Sequence, residues 1–220
     1  MNPLLCCATG AIFAHESRVH TYTRSMHLGP AALTAALSRN VEQWDALTET
    51  LGSGGLEPTA FLASARASIV LLKPLGRCCR LLRRSMTADI GALERLATSR
   101  DPVSGMGALL GEAESDDAGV QALVWVFRGL SFATRLAEAL VTEPGCTTTS
   151  AAAGAYDATL APHHGAAMRT LYRKGTALLP KRSKLRDRVA GARTEELLAD
   201  WCRAVQPALV TLHMLCAERG

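Results

Sequence analysis

Residues 120–141 read VQALVWVFRGLSFATRLAEALV, and the fold class turns on that stretch. Its apolar residues recur at helical spacing more strongly than anywhere else in the chain. Trp125, Arg128, Phe132 and Arg135 fall at i, i+3, i+7 and i+10, on one face of the helix. Two arginines on that face argue for a polar rim rather than a dry core.

Similar patterns lie on either side. Residues 31–51 carry Leu33, Leu37, Val41, Trp44, Leu47 and Leu51, and the glycines of 52–55 are expected to end that helix. Glu57 and Pro58 open a second helix, with Pro at its tolerated first turn, running toward Gly76. Residues 77–97 read as a third, with Arg77, Arg80, Arg83 and Arg84 on its first half. Residues 99–117 read as a loop with one short helix, and 151–179 as a long helix interrupted at Pro162. A charged connection or short helix at 182–188 leads to a last helix over 194–218, with Pro207 inside it. Strand alternation and fixed-period repeats are absent. The expectation is an all-α chain forming a two-layer helical bundle.

Composition narrows the function. Of 220 residues, 48% are hydrophobic, enough for a sizeable core, and only 5% are aromatic. No apolar run approaches the roughly 20 residues of a membrane span. A net charge of +4 is too weak to argue for nucleic acid but suits an anionic membrane surface. The seven cysteines (Cys6, Cys7, Cys78, Cys79, Cys146, Cys202, Cys216) show no C-x-x-C or Cys/His ligand pattern. Reduced thiols, a cytosolic setting and no metal site are expected. Gly-x-Ser-x-Gly and Gly-rich phosphate loops are also missing, so no catalytic residue and no cofactor is expected. Residues 1–28 read as a disordered or targeting tail, and 29–220 as the folded domain.

Three short stretches carry a resemblance. They are ADIG at 88–91, WVFRGLSF at 125–132 and AYDATLAPHHG at 155–165. In this order they resemble the glycolipid transfer protein family, over roughly residues 30–220. The resemblance implies a non-enzymatic, monomeric carrier or sensor of a sphingolipid, with a glycosphingolipid as its first cargo, peripheral to membranes and in transient contact with them. It implies that Asp89 accepts hydrogen bonds from the ceramide amide and sugar hydroxyls, that Trp125 stacks on the first sugar, and that His164 bonds the ceramide carbonyl. Arg128 would support Asp89 or orient the headgroup, and His163 would be a spectator. Read from the residues alone, each has a plainer alternative: a solvated carboxylate, a core indole, a surface arginine, a capping imidazole.

The physical demand is clear. Exposing about 30 methylenes costs on the order of 20 kcal/mol at ~0.8 each, so a carrier must replace the bilayer with its own interior. The chain also departs from the family pattern. Leu93 and Leu96 stand where the glycolipid branch has Asn and Lys, and Arg95 is the candidate to reach over for the lost Lys. Leu93, Gln121 and Trp125 occupy the cation positions of the ceramide-1-phosphate branch. A carrier of ceramide-1-phosphate or another anionic sphingolipid, using the arginine-rich third helix, is one alternative. A helical adaptor that has lost lipid binding is the other.

Overall fold

The computed structural model describes residues 29–100, 105–111 and 117–217. The expected tail, with Cys6 and Cys7, falls outside them. No strand occurs among the described residues, and no helix there is long and apolar enough to cross a membrane.

Helix α1 spans Pro30–Gly54, running through Gly52 and Gly54 before it stops at Gly55, inside the glycine run expected to end it. Helical glycine is costly rather than forbidden, at about 1 kcal/mol against alanine. The helix ends at Gly55, whose φ of 84° an L side chain resists. Helix α2, Pro58–Ser68, starts where Glu57 accepts hydrogen bonds from the Thr59 and Ala60 amides. It then tightens into a 3-10 turn over Ile69–Leu72 instead of continuing toward Gly76. Pro74 supplies no amide to extend the ladder. Helix α3, Arg80–Ser99, begins three residues later than expected, so Arg77 belongs to the preceding turn.

Helix α4 is the short Met106–Leu110. Helix α5, Ala118–Thr142, is capped by the Asp117 carboxylate. Arg182 donates to the Leu140 and Glu143 carbonyls at its other end. The long helix expected over 151–179 is two helices: α6, Thr148–Thr159, and α7, Ala166–Thr176. Between them lie a 3-10 turn over Ala161–His163 and His164 in extended backbone (φ −100°, ψ 137°). Pro162 blocks continuation there, so His164 sits in a chain break rather than on a helix. Helices α8 (Arg182–Val189) and α9 (Thr194–Ala217) complete the chain.

α1, α2, α3, α5 and α9 close a ring around the core, each packing on the next and α9 returning to α1. α1 and α2 form one layer, with α8 against α1. α5 and α6 form the other, with α7 against α6, while α3 and α9 bridge the two edges. Leu37, Trp44, Phe61, Ile90, Leu93, Val126, Leu130, Phe132 and Trp201 are wholly buried between them. One polar knot crosses this interior. Asn40 Oδ1 accepts from Trp201 Nε1 (2.9 Å) and Ser68 Oγ (2.8 Å). Its Nδ2 donates to the Ser64 carbonyl at 3.0 Å, and Trp44 Nε1 donates to Ser68 Oγ at 3.0 Å. The knot ties α1, α2 and α9 together.

The α3–α5 contact fixes the register of the site. A Cβ on Gly129 would stand 2.7 Å from Met86 Sδ, and one on Gly119 would stand 3.0 Å from Leu96 Cδ2. Ten residues forward on α3 therefore match ten backward on α5, an antiparallel pair. Asp89 lies level with Trp125 and Val126 in that register.

Candidate headgroup site

The chain break after Pro162 turns His164 back over its own helix. Its Nδ1 comes 2.9 Å from the hydroxyl of Tyr156, eight residues earlier. Burial holds the Tyr156 phenol above its usual range, so it stays protonated and donates. Burial, then His163, then Arg128 hold the His164 imidazole below its usual value, so it is neutral at pH 7. With Nδ1 accepting, the ring proton resides on Nε2, which makes that nitrogen a donor suited to a carbonyl oxygen.

The indole of Trp125 stacks on this imidazole, with centroids 5.6 Å apart and planes at 20°. The Arg128 guanidinium lies 4.9 Å from the centre of the same indole. Such a contact is worth about 0.5–1 kcal/mol where it is solvated, so a ligand can displace it. Behind His164 the rings continue. Tyr156 stacks on Tyr172 at 3.6 Å and 7°, and Tyr172 meets Phe132 edge-on at 6.1 Å. Tyr172 is anchored by donating to the Ala152 carbonyl at 3.1 Å. A continuous aromatic wall therefore runs from the partly exposed Trp125 to the buried Phe132.

Asp89 faces the same level from α3. It is half-buried, and burial lifts its carboxyl to about 6, with the Ser85 hydroxyl, 3.3 Å from Oδ2, pulling it back only partly. A carboxylate this poorly solvated is an acceptor that gains from incoming N–H or O–H groups.

His164 and Arg128 thus both pack on Trp125, and the helix register puts Asp89 level with them. Arg95 is not gathered in. It lies about 120° around α3 from Asp89, on the flank where Arg66 pairs with Glu94 and where its Nη1 is 3.5 Å from the Cβ position of Gly91. Leu93 is wholly buried, one turn from Asp89. Tyr156 and Tyr172 are the members that sequence reasoning missed. Tyr156 was visible inside the 155–165 stretch, but eight residues of unbroken helix would hold it about 12 Å along the axis from His164.

His163, expected to be a spectator, lines an adjoining groove of about 460 Å³ with Arg128, Arg135, His213, Ser131 and Gln121. No group of three or more His, Cys, Asp or Glu among the described residues could hold a metal ion.

Comparison with known proteins bears on the fold and the family. Residues 56–191 match the family model described as Glycolipid transfer protein (GLTP). No curated protein sequence matches the chain. Among solved structures, a mutant of Arabidopsis ACD11 complexed with C12 ceramide-1-phosphate superposes with a TM-score of 0.74 at 22% identity, covering 83% of this chain and 95% of that one. Apo mouse ceramide-1-phosphate transfer protein gives 0.72 at 17% identity over 83% and 96% of the two chains. HET-C2, a fungal glycolipid transfer protein, gives 0.67 at 16% identity over 72% and 84%. The matched segment contains every residue of the candidate site, and the chain belongs to the glycolipid transfer protein family.

Proposed function

We propose that this protein binds a single sphingolipid and carries it between membranes as a monomer, without covalent chemistry. The observation that carries the reading is the Trp125–His164–Tyr156 cluster at the rim of an aliphatic interior, with Asp89 level with it. The interior matches hydrocarbon tails. The Nε2 donor of His164 matches an amide carbonyl, and the Asp89 carboxylate matches the amide N–H and sugar hydroxyls. Trp125, once Arg128 is displaced, offers its face to a sugar ring. The match to named carriers of ceramide-1-phosphate and glycolipid supports a lipid with a ceramide-like core.

The test is lipid transfer between vesicles by Trp125→Ala, His164→Leu and Asp89→Val. Each variant is expected to lose at least roughly tenfold in rate, the equivalent of ~1.4 kcal/mol, with a cooperative unfolding transition retained. Full transfer by all three would refute the site. A second reading, an anionic headgroup, is favoured by the groove holding Arg128, Arg135, His163 and His213 beside Trp125. Arginine is the natural reader of phosphate and sulfate oxygens. Comparing galactosylceramide with ceramide-1-phosphate as cargo separates the two. Preference for the phosphate, lost in Arg135→Ala, would select the second.

A further inference from the structure

Cys78 and Cys79 stand in the turn before α3, with Sγ atoms 3.9 Å apart and no disulfide. The Cys78–Cys79 peptide lies ahead of the α3 ladder, in which Cys79 O accepts from Arg83 N at 3.0 Å. It can therefore rearrange without unwinding α3.

The two thiols are unequal. Cys78 is half-buried, while Cys79 is only 4% exposed. The hydrogen bond between the two sulfurs holds Cys78 down at about 7 against burial, and Arg83 adds to this. The same bond and burial push Cys79 far up, so it keeps its proton. Arg83 Nε is itself buried without a hydrogen-bond partner. The start of α3 adds its own positive end. By contrast, burial drives the lone Cys202 up to about 12. A nucleophilic sulfur and a protonated reserve within contact distance make the arrangement that thiol exchange uses.

We propose that Cys78 and Cys79 form a thiol–disulfide exchange site, with Cys78 attacking and Cys79 resolving. The oxidant is a small organic disulfide of the glutathione class. The Cys78 thiolate attacks one of its sulfurs, the S–S bond breaks, and one small thiolate leaves with the electron pair. Cys79 then gives its proton to solvent and attacks Cys78 sulfur, expelling the second small thiolate. Two protein thiols are oxidised and one disulfide is reduced to two thiols. The sulfurs must close from 3.9 Å to about 2.05 Å.

This closure has a neighbour to act on. Cys78 Cβ lies 3.7 Å from the Cβ position of Gly175 on α7. Tyr172, three residues before Gly175 on the same helix, stacks on Tyr156, the residue that orients His164. Oxidation therefore slows lipid transfer, a consequence that rests on the function proposed above.

The experiment exposes the full native chain to oxidised glutathione, blocks remaining thiols and digests with trypsin. Cleavage after Arg77 and Arg80 frees the peptide Cys78-Cys79-Arg80 from every other cysteine, Cys6 and Cys7 included. In the wild type this peptide is expected to be lighter by two hydrogens. In Cys79→Ser the equivalent peptide retains a glutathione adduct, and in Cys78→Ser it does not react. A wild-type peptide carrying two blocking groups, or equal reaction in Cys78→Ser, overturns the exchange site. Galactosylceramide transfer by the oxidised wild type is expected to fall several-fold and recover on reduction. Unchanged transfer with an oxidised peptide overturns the coupling to Tyr172. A protein that transfers no sphingolipid in either state refutes the lipid reading instead, and the peptide map still decides the exchange site.

Discussion

The molecule holds two polar clusters built on tryptophan, and they are organised in opposite ways. Around Asn40, the Trp44 and Trp201 indole N–H groups, the Ser68 hydroxyl and the Asn40 amide all find partners at 2.8–3.0 Å, in the fully buried interior. Around Trp125, the side chains are partly exposed, one carboxylate is desolvated with a long 3.3 Å hydrogen bond, and an arginine rests on an indole face. A satisfied buried network costs nothing further and specifies packing, whereas a partly satisfied one at the rim retains capacity for a ligand. The difference separates what holds the fold from what a lipid would meet.

Asn40→Leu should break that comparison most severely. It removes the acceptor of two hydrogen bonds and leaves the Trp201 N–H unpaired in the core, while the Ser68 hydroxyl keeps the Ser64 carbonyl at 2.9 Å. At about 1–3 kcal/mol for that stranded group, stability should fall by about 2–3 kcal/mol, read as a shift in urea midpoint at constant slope. Transfer per folded molecule should not change. Tyr156→Phe should do the reverse. It keeps the ring stack but removes the hydroxyl on His164 Nδ1, freeing the imidazole to choose its tautomer. Transfer is expected to drop by roughly tenfold, with a stability loss of about 1 kcal/mol.

These clusters were unequally legible in the sequence. The periodic apolar stripe of 120–141 exposed α5, because a buried helix face writes itself at a spacing of three and four. Asn40 shares the α1 face with Leu37 and Trp44, yet its role was hidden. An asparagine on an apolar stripe announces nothing until a second helix brings Trp201 to it, 161 positions away. The motif stretches pointed to Asp89, Trp125 and His164, and Pro162 marked the break. The closure of His164 onto Tyr156 was not readable, because it depends on the direction the chain takes after that break. The same limit applies to Arg95, whose length in sequence terms suggested reach but whose face of α3 points elsewhere.

Gly129→Ala sharpens the comparison at the seam between the layers. Its Cβ would press on Met86 Sδ at 2.7 Å, and the flexible thioether can yield, so the cost belongs at the low end of overpacking, about 1 kcal/mol. If the α3–α5 seam parts to admit tails, this variant transfers faster while melting earlier. Pairing it with Met86→Ala should restore the melting midpoint toward that of Met86→Ala alone. A slower or unchanged transfer rate would assign tail admission to a different helix pair.

Asp89→Asn should give the smallest shift and the clearest sign. The Asp89 carboxyl titrates at about 6 in the fold against 3.8 when solvated, raised first by burial. The folded chain therefore binds this proton more tightly than the unfolded chain does. The contribution to stability is fully present below pH 3.8 and is lost as pH rises to about 6. The Asn variant should thus match wild type at low pH and melt a few degrees higher above pH 6, since about 1 kcal/mol moves the midpoint of a chain this long by roughly 2–4 °C. Wild-type lipid transfer should move the other way, falling as pH drops through about 6 because the acceptor becomes protonated. The Asn variant should transfer poorly at every pH. Opposite pH signs for stability and transfer in one residue are what a desolvated ligand acceptor requires, and a solvated helix carboxylate would give neither.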